Sequence, residues 1–154
     1  IWQDDLEGVT PTAVEEIVRV ASPVTYMRRT VTRDLTLSGH DFAEGDRLVM
    51  LYGAANRDPR VFEHPERFDV LRDPNHHLGF GGPGPHFCLG AHLARREVSV
   101  AFRQLFTRLP DIEVVGDPVP LASMGMPLVG GIKRLPVRFT PTAPLAGTDD
   151  QGDE

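Results

Sequence analysis

"HHLGFGGPGPHFCLGAHLARRE", residues 76–97, carries the only cysteine of the chain, Cys88, between a glycine, proline and histidine run and an arginine-bearing apolar pattern. Leu89, Leu93, Val98, Phe102, Leu105, Phe106 and Leu109 recur at helical spacing. They predict a long amphipathic helix that begins near the cysteine and ends before Pro110. The thiol therefore stands at a helix start, where free N–H groups and the helix dipole favour an ionised sulfur. Gly84 and Gly90 bracket it and let the backbone approach a flat group, while Gly81, Gly82 and Pro83 shape the approach.

Three chemistries compete for this stretch. Gly79, Gly81 and Gly84 satisfy the G-x-G-x-x-G dinucleotide fingerprint, which has meaning only between a strand and a helix. The preceding "RDPNHH" is no strand, and no acidic ribose partner follows at the right place. A zinc site drawn from His76, His77, His86, His92 and Cys88 has only His86 and Cys88 near the usual ligand spacing. The third chemistry is axial ligation of haem iron by one cysteine thiolate, whose strong donation helps cleave a bound O–O bond. Taken alone, Cys88 fits a buried structural thiol in a glycine-rich turn better than any of these.

The rest of the chain sets the frame. Its 154 residues suffice for one domain with a core, and 40% hydrophobic and 25% charged residues are ordinary for a globular protein. A single cysteine excludes an internal disulfide framework and fits a reducing compartment. A net charge of −6 argues against nucleic-acid binding. No apolar run has membrane-spanning length and no signal-peptide pattern opens the chain. The start "IWQDDLEG" carries no initiator Met, which suggests a longer gene product. Thr10 is expected to cap a short helix with Pro11 in its first turn, ending at Pro23. Strands are expected around Leu35 and Leu37 and over residues 48–52, with a turn between Gly39 and Asp46. Residues 53–77 read as an ordered meander anchored by Phe62 and Phe68. Short strands and turns follow from 111 to 139, and the acidic end, residues 141–154, reads as a disordered tail.

Four segments in order carry a resemblance. Phe80 to Gly90 resembles the haem-binding loop of the cytochrome P450 family, the haem-thiolate monooxygenases. Glu16-Ile-Val-Arg19 resembles that family's E-x-x-R helix motif, "ANRDPRVFEHPERFD" its meander, and "GAHLARRE" the start of the helix after the ligand loop. The flavour is closest to soluble actinobacterial members acting on sterols and branched lipids. Here the loop aromatic, Phe80, stands one residue further from the cysteine than usual, and Pro83 replaces a frequent glycine.

The resemblance implies a mainly α fold with small β-sheets, the C-terminal part of the P450 fold over residues 1–140. It would lack the N-terminal helices and the oxygen-activating helix. It implies haem b (iron protoporphyrin IX) held by Cys88, with Phe80, Gly81, Gly82, Gly84 and Gly90 forming the loop. His86 and Arg29 would meet the propionates. Glu16, Arg19 and Arg67 would form a buried structural triad, and Val24, Thr25 and Met126 would flank a substrate pocket. The complete unit would be cytoplasmic, take electrons from a ferredoxin-type donor and oxygenate a small apolar substrate, with the N-terminal half supplied as part of a longer product or another chain. Arg95, Arg96 and Arg103 could form a basic patch for that donor or simply a solvated helix face. The alternative is a non-catalytic haem-binding or interaction module with no turnover of its own. His40, His64, His76, His77 and His92 are expected at the surface or in loops.

Overall fold

The structure, a computed structural model, describes residues 1–121 and 128–142. Helix α1 spans Leu6–Ala21. Its cap is Asp5, whose carboxylate accepts the Gly8 N–H at 2.8 Å and so satisfies a free first-turn donor. The expected cap at Thr10 is therefore corrected. Thr10 is buried within the helix, donates to the Leu6 carbonyl at 2.5 Å and accepts the Trp2 indole N–H at 2.9 Å. Pro11 lies inside the helix on its exposed side, where the hydrogen bond its ring cannot donate is lost next to solvent. The helix ends at Ser22, in the left-handed region at φ 38°.

Strands β1 (Tyr26–Thr30), β2 (Leu35–Leu37), β3 (His40–Phe42) and β4 (Arg47–Leu51) follow. β1 pairs antiparallel with β4, placing Arg29 opposite Leu48 and Met27 opposite Met50, and β2 pairs with β3. Leu35 and Leu37 do share a face by alternation, but both are exposed. One helical turn, α2 (Tyr52–Ala55), leads into residues 56–90, which contain no strand or helix among them. Helix α3 spans Ala91–Arg108. Four short strands close the described chain: β5 (Glu113–Val114), β6 (Val119–Pro120), β7 (Ile132–Arg134) and β8 (Val137–Arg138), paired as β5 with β8 and β6 with β7. Apart from Pro141 and Thr142, the expected acidic tail lies outside the described residues.

The two long helices run antiparallel. Trp2 stacks on Phe102 with ring centroids 4.9 Å apart and meets Phe106 edge-on at 5.2 Å. Further along, Glu7 pairs with Arg103 at 2.7 Å and Glu15 with Arg95 at 2.6 Å. Val9, Ala13, Val14 and Val18 of α1, Ala91 of α3 and Phe62 of the meander are buried. α1 is thus the central element, and the meander and α3 both hang on it. This mainly α arrangement with small two-stranded sheets is the expected fold class.

Candidate functional site

α1 carries two adjacent glutamates, Glu16 turned to the meander and Glu15 to α3. Glu16 and Arg19, three residues apart and therefore on one helix face, are both fully buried. Arg19 donates through Nε and Nη2 to the two Glu16 oxygens at 2.7 and 2.8 Å, a bidentate fork. Its remaining donors reach the backbone carbonyls of Asn56, Pro65 and Arg67 at 2.8, 2.8 and 3.0 Å. Glu16 also accepts the Asp69 N–H at 2.8 Å, Arg72 Nε at 3.1 Å and Asn75 Nδ2 at 3.0 Å. Burial alone would raise the Glu16 carboxyl, but the hydrogen bonds from Arg19 and the Asp69 amide outweigh it and hold the group below its ordinary value. The guanidinium carbons of Arg19 and Arg72 lie 5.2 and 5.9 Å from the centre of the Phe62 ring, a cation–π contact from each arginine.

This knot corrects the expected triad. The third side chain is Arg72, not Arg67. The Arg67 side chain is exposed, and the residue takes part through its carbonyl, which Arg19 and Arg72 both reach. The turn closed by the Arg67 N–H on the His64 carbonyl at 3.0 Å directs that carbonyl inward. Arg72, five residues on, then has the reach to meet Glu16.

The knot is tied to the glycine loop by Asn56, fully buried at the end of α2. Its Nδ2 donates to Ser22 Oγ at 2.8 Å and its Oδ1 accepts the Leu78 N–H at 2.7 Å. Gly79 then passes so close to α1 that a Cβ would sit 2.4 Å from Val18 Cγ1. That packing, rather than a pyrophosphate, is what this glycine answers to, and no strand precedes it. The dinucleotide possibility is therefore excluded. Among the described residues no group of three or more histidine, cysteine, aspartate or glutamate side chains is arranged to hold a metal ion.

The loop turns at Gly81 and Gly84, with φ of 86° and 133°. The Cys88 N–H closes it on the Phe80 carbonyl at 2.9 Å. Cys88 is a free, exposed thiol, which corrects the buried structural cysteine that its sequence context alone favoured. It does not lie in the helix: the first helical bond runs from the Ala94 N–H to the Gly90 carbonyl at 2.9 Å, and Gly90 is the cap. The sulfur therefore stands in the turn just ahead of α3, and a Cβ on Gly90 would lie 4.0 Å from it. Beside the loop opens a cavity of about 440 Å³, lined by Arg29, Met50 and Tyr52 from the sheet side and by Gly82, Gly84 and His86 from the loop. Gly81 lines it too. A Cβ at Gly82 or Gly84 would meet nothing within 4 Å. Among the described residues Arg29 faces no carboxylate partner; its one hydrogen bond goes to the Arg28 carbonyl at 3.1 Å. The rim of this slot, with the uncompensated guanidinium of Arg29 and the imidazole of His86, could hold a flat anionic group.

Glu15, one residue before Glu16, faces α3. It accepts Arg95 Nε at 2.6 Å and Nη2 at 2.9 Å, and its other contact is His77 Nε2 at 2.9 Å. Burial pushes its carboxyl up, yet the hydrogen bonds from Arg95 and His77 prevail and the group is held low. His77 lies in a loop, as expected, but its side chain is only 3% exposed. With Arg95 paired to Glu15 and Arg103 to Glu7, the expected basic patch reduces to Arg96. Val24 is bridged to Val129, and the Thr25 N–H donates to the Leu128 carbonyl at 2.9 Å. Met126, the third expected pocket residue, lies outside the described residues. Sequence reading missed Glu15, His77, Asn56 and Arg72; only the doubled glutamate of "VEEIVR" hinted that α1 serves two neighbours.

Comparison with known proteins agrees with this geometry. Residues 8–119 match the family model described as Cytochrome P450. The chain is 52% identical over 139 residues to the methyl-branched lipid omega-hydroxylase of Mycobacterium tuberculosis, covering 90% of this chain and 32% of that protein. It is 48% identical over 128 residues to the steroid C26-monooxygenase of Rhodococcus jostii, covering 83% and 26%. Among solved structures, a Mycobacterium marinum cytochrome P450 in complex with pseudoionone superposes with a TM-score of 0.83 at 45% identity, over 90% of this chain and 32% of that one. The cytochrome P450 PksS of the Bacillus subtilis bacillaene polyketide synthase gives 0.79 at 41% identity, over 88% and 35%. The chain spans about a third of the length of the relatives it matches.

Proposed function

We propose, because this chain belongs to the cytochrome P450 family, that residues 1–140 form the haem-ligand portion of a haem-thiolate monooxygenase, with Cys88 as the protein's ligand to iron. The observation that carries the proposal is the cavity that joins Arg29 to His86 and the glycines of the loop leading to Cys88, whose thiol is free and exposed. Arg29 and His86 would bind the propionates of haem b through charge-assisted hydrogen bonds. Gly81, Gly82 and Gly84 would let the loop backbone lie against the ring, Phe80 would accept the Cys88 N–H as it does here, and Gly90 would leave room beside the sulfur. Bound there, the haem would supply the oxygen chemistry that inserts one oxygen atom into an apolar substrate. The names of the relatives suggest a methyl-branched lipid or a steroid. Val24, Thr25 and Met126 are proposed to border that substrate, a ferredoxin-type protein to supply electrons and the cytoplasm to house the reaction. No helix among the described residues is long and apolar enough to cross a membrane.

The second reading, a haem-binding or interaction module without turnover, is favoured by the bareness of the thiol's surroundings: Leu89 is wholly exposed and Leu93 62% exposed. The assay that separates the two is product formation by haem-loaded chain with a ferredoxin, its reductase and a methyl-branched fatty acid. Ligation itself is tested by adding haem, reducing it and adding carbon monoxide. The expected outcome is the strongly red-shifted Soret band of a thiolate complex, lost in Cys88→Ser and replaced by a globin-like spectrum in Cys88→His. A spectrum indifferent to both substitutions removes Cys88 from the site.

A further inference from the structure

We infer that Glu15 is a positioning residue for the cysteine loop: one carboxylate on α1 holds the chain on both sides of Cys88 and so sets how the sulfur is presented. The inference rests on the reading of Cys88 as the iron ligand. Upstream of the cysteine, Glu15 holds His77 at 2.9 Å; downstream, it holds the Arg95 fork at 2.6 and 2.9 Å. His77 Nδ1 accepts the Gly79 N–H at 3.0 Å, so the ring carries its proton on Nε2, toward Glu15. Both held side chains in turn grip Phe80. The Arg95 guanidinium carbon lies 4.5 Å from the centre of the Phe80 ring, and the His77 ring is 5.7 Å away. Phe80 is the residue whose carbonyl takes the Cys88 N–H. A chain of contacts thus runs from Glu15 through Arg95 and His77 to Phe80, and from Phe80 to the backbone of the cysteine.

The neighbouring Glu16 serves the meander and makes none of these contacts. α1 therefore carries two adjacent carboxylates with separate loads, and loosening one need not loosen the other. Glu15→Gln keeps the side chain's size but cannot accept the Arg95 fork and His77 together, because one of its two terminal atoms is now a donor.

Amide hydrogen exchange of the haem-free chain reads the device directly. In Glu15→Gln, exchange at Cys88 and Gly81 is expected to speed up by about tenfold, while the Asp69 amide, held by Glu16, keeps its rate. Loaded with haem and carbon monoxide, the same variant is expected to lose part of the red-shifted thiolate band to a less shifted form. Arg95→Gln, which breaks the fork from the other side on a partly exposed residue, should do the same if Glu15→Gln does not fold. Unchanged exchange at Cys88 in whichever variant folds overturns the inference, as does equal acceleration at Asp69. A wild-type chain without any thiolate band removes Cys88 from iron, whereas the exchange measurement still judges the positioning.

Discussion

In the knot around Glu16 a carboxylate and two guanidinium groups are packed away from water, and the donors of Arg19 end on Glu16, Asn56, Pro65 and Arg67. Around Cys88 the same chain leaves a free thiol, a leucine wholly exposed at position 89, and a slot bordered by Arg29 and His86. The two regions meet at Asn56 and Leu78. Their difference separates support from site. A polar network tolerates burial to the extent that its members satisfy one another. A binding site keeps its polar groups unpaired until the ligand arrives. Removing a residue from the knot should therefore cost folding stability, while removing one from the loop should alter what the loop can hold.

The largest effect is expected at Glu16. Glu16→Ala leaves Arg19 and Arg72 buried without a counter-charge, and breaking such a pair costs about 3–5 kcal/mol. A domain of ordinary stability, about 5–15 kcal/mol, would lose a large fraction of it. Urea titration followed by circular dichroism measures the loss. Acid should imitate the mutation in part. The Glu16 and Glu15 carboxyls are held below the ordinary glutamate value in the folded chain by the hydrogen bonds they accept. Their contribution is thus complete above about pH 4.5 and disappears as the pH falls through the folded values. A midpoint in urea that falls steadily below pH 4.5 in the parent chain, and does so less steeply in Glu16→Gln, is the expected pattern.

An intermediate effect belongs to Asn56, the joint between the two regions. Asn56→Ala leaves the Leu78 N–H without its acceptor and Ser22 Oγ without its donor. Lost buried hydrogen bonds of this kind cost about 1–3 kcal/mol. Here the comparison sharpens: the stability loss should come with faster exchange at the Leu78 amide, because Asn56 anchors the first turn of the glycine loop. A purely global loss would accelerate the Asp69 amide to the same degree.

Much of this was legible in the sequence, and what was not has identifiable causes. The i, i+3 spacing of Glu16 and Arg19 fixes their geometry within one helix, so their pairing survives any tertiary context. The glycine run and the helix after it were likewise local patterns. The cap at Asp5 is hard to read because Pro11 has the look of a first-turn residue, whereas it lies inside the helix, beyond the first turn after that cap. Asn56, Glu15 and His77 could not be placed because their partners are 22 to 80 residues away. Spacing along the chain says nothing about such pairs.

Arg67 and Arg72 show the same limit at close range and give the smallest expected effect. The motif reading put the guanidinium of Arg67 in the knot, but the turn at His64 hands Arg19 the carbonyl of Arg67 and turns its side chain to solvent. A carbonyl survives mutation to alanine. Arg67→Ala should therefore shift stability by no more than about 0.5 kcal/mol, as exposed substitutions usually do. Arg72 presents the opposite case: its side chain is 11% exposed, pairs with Glu16 at 3.1 Å and also reaches the carbonyls of Glu63 and His64. Arg72→Ala should cost several times more than Arg67→Ala in the same urea titration. Were Arg67→Ala the costlier of the two, the side chain and not the carbonyl would be what the knot uses, and the third member would revert to the one the motif suggested.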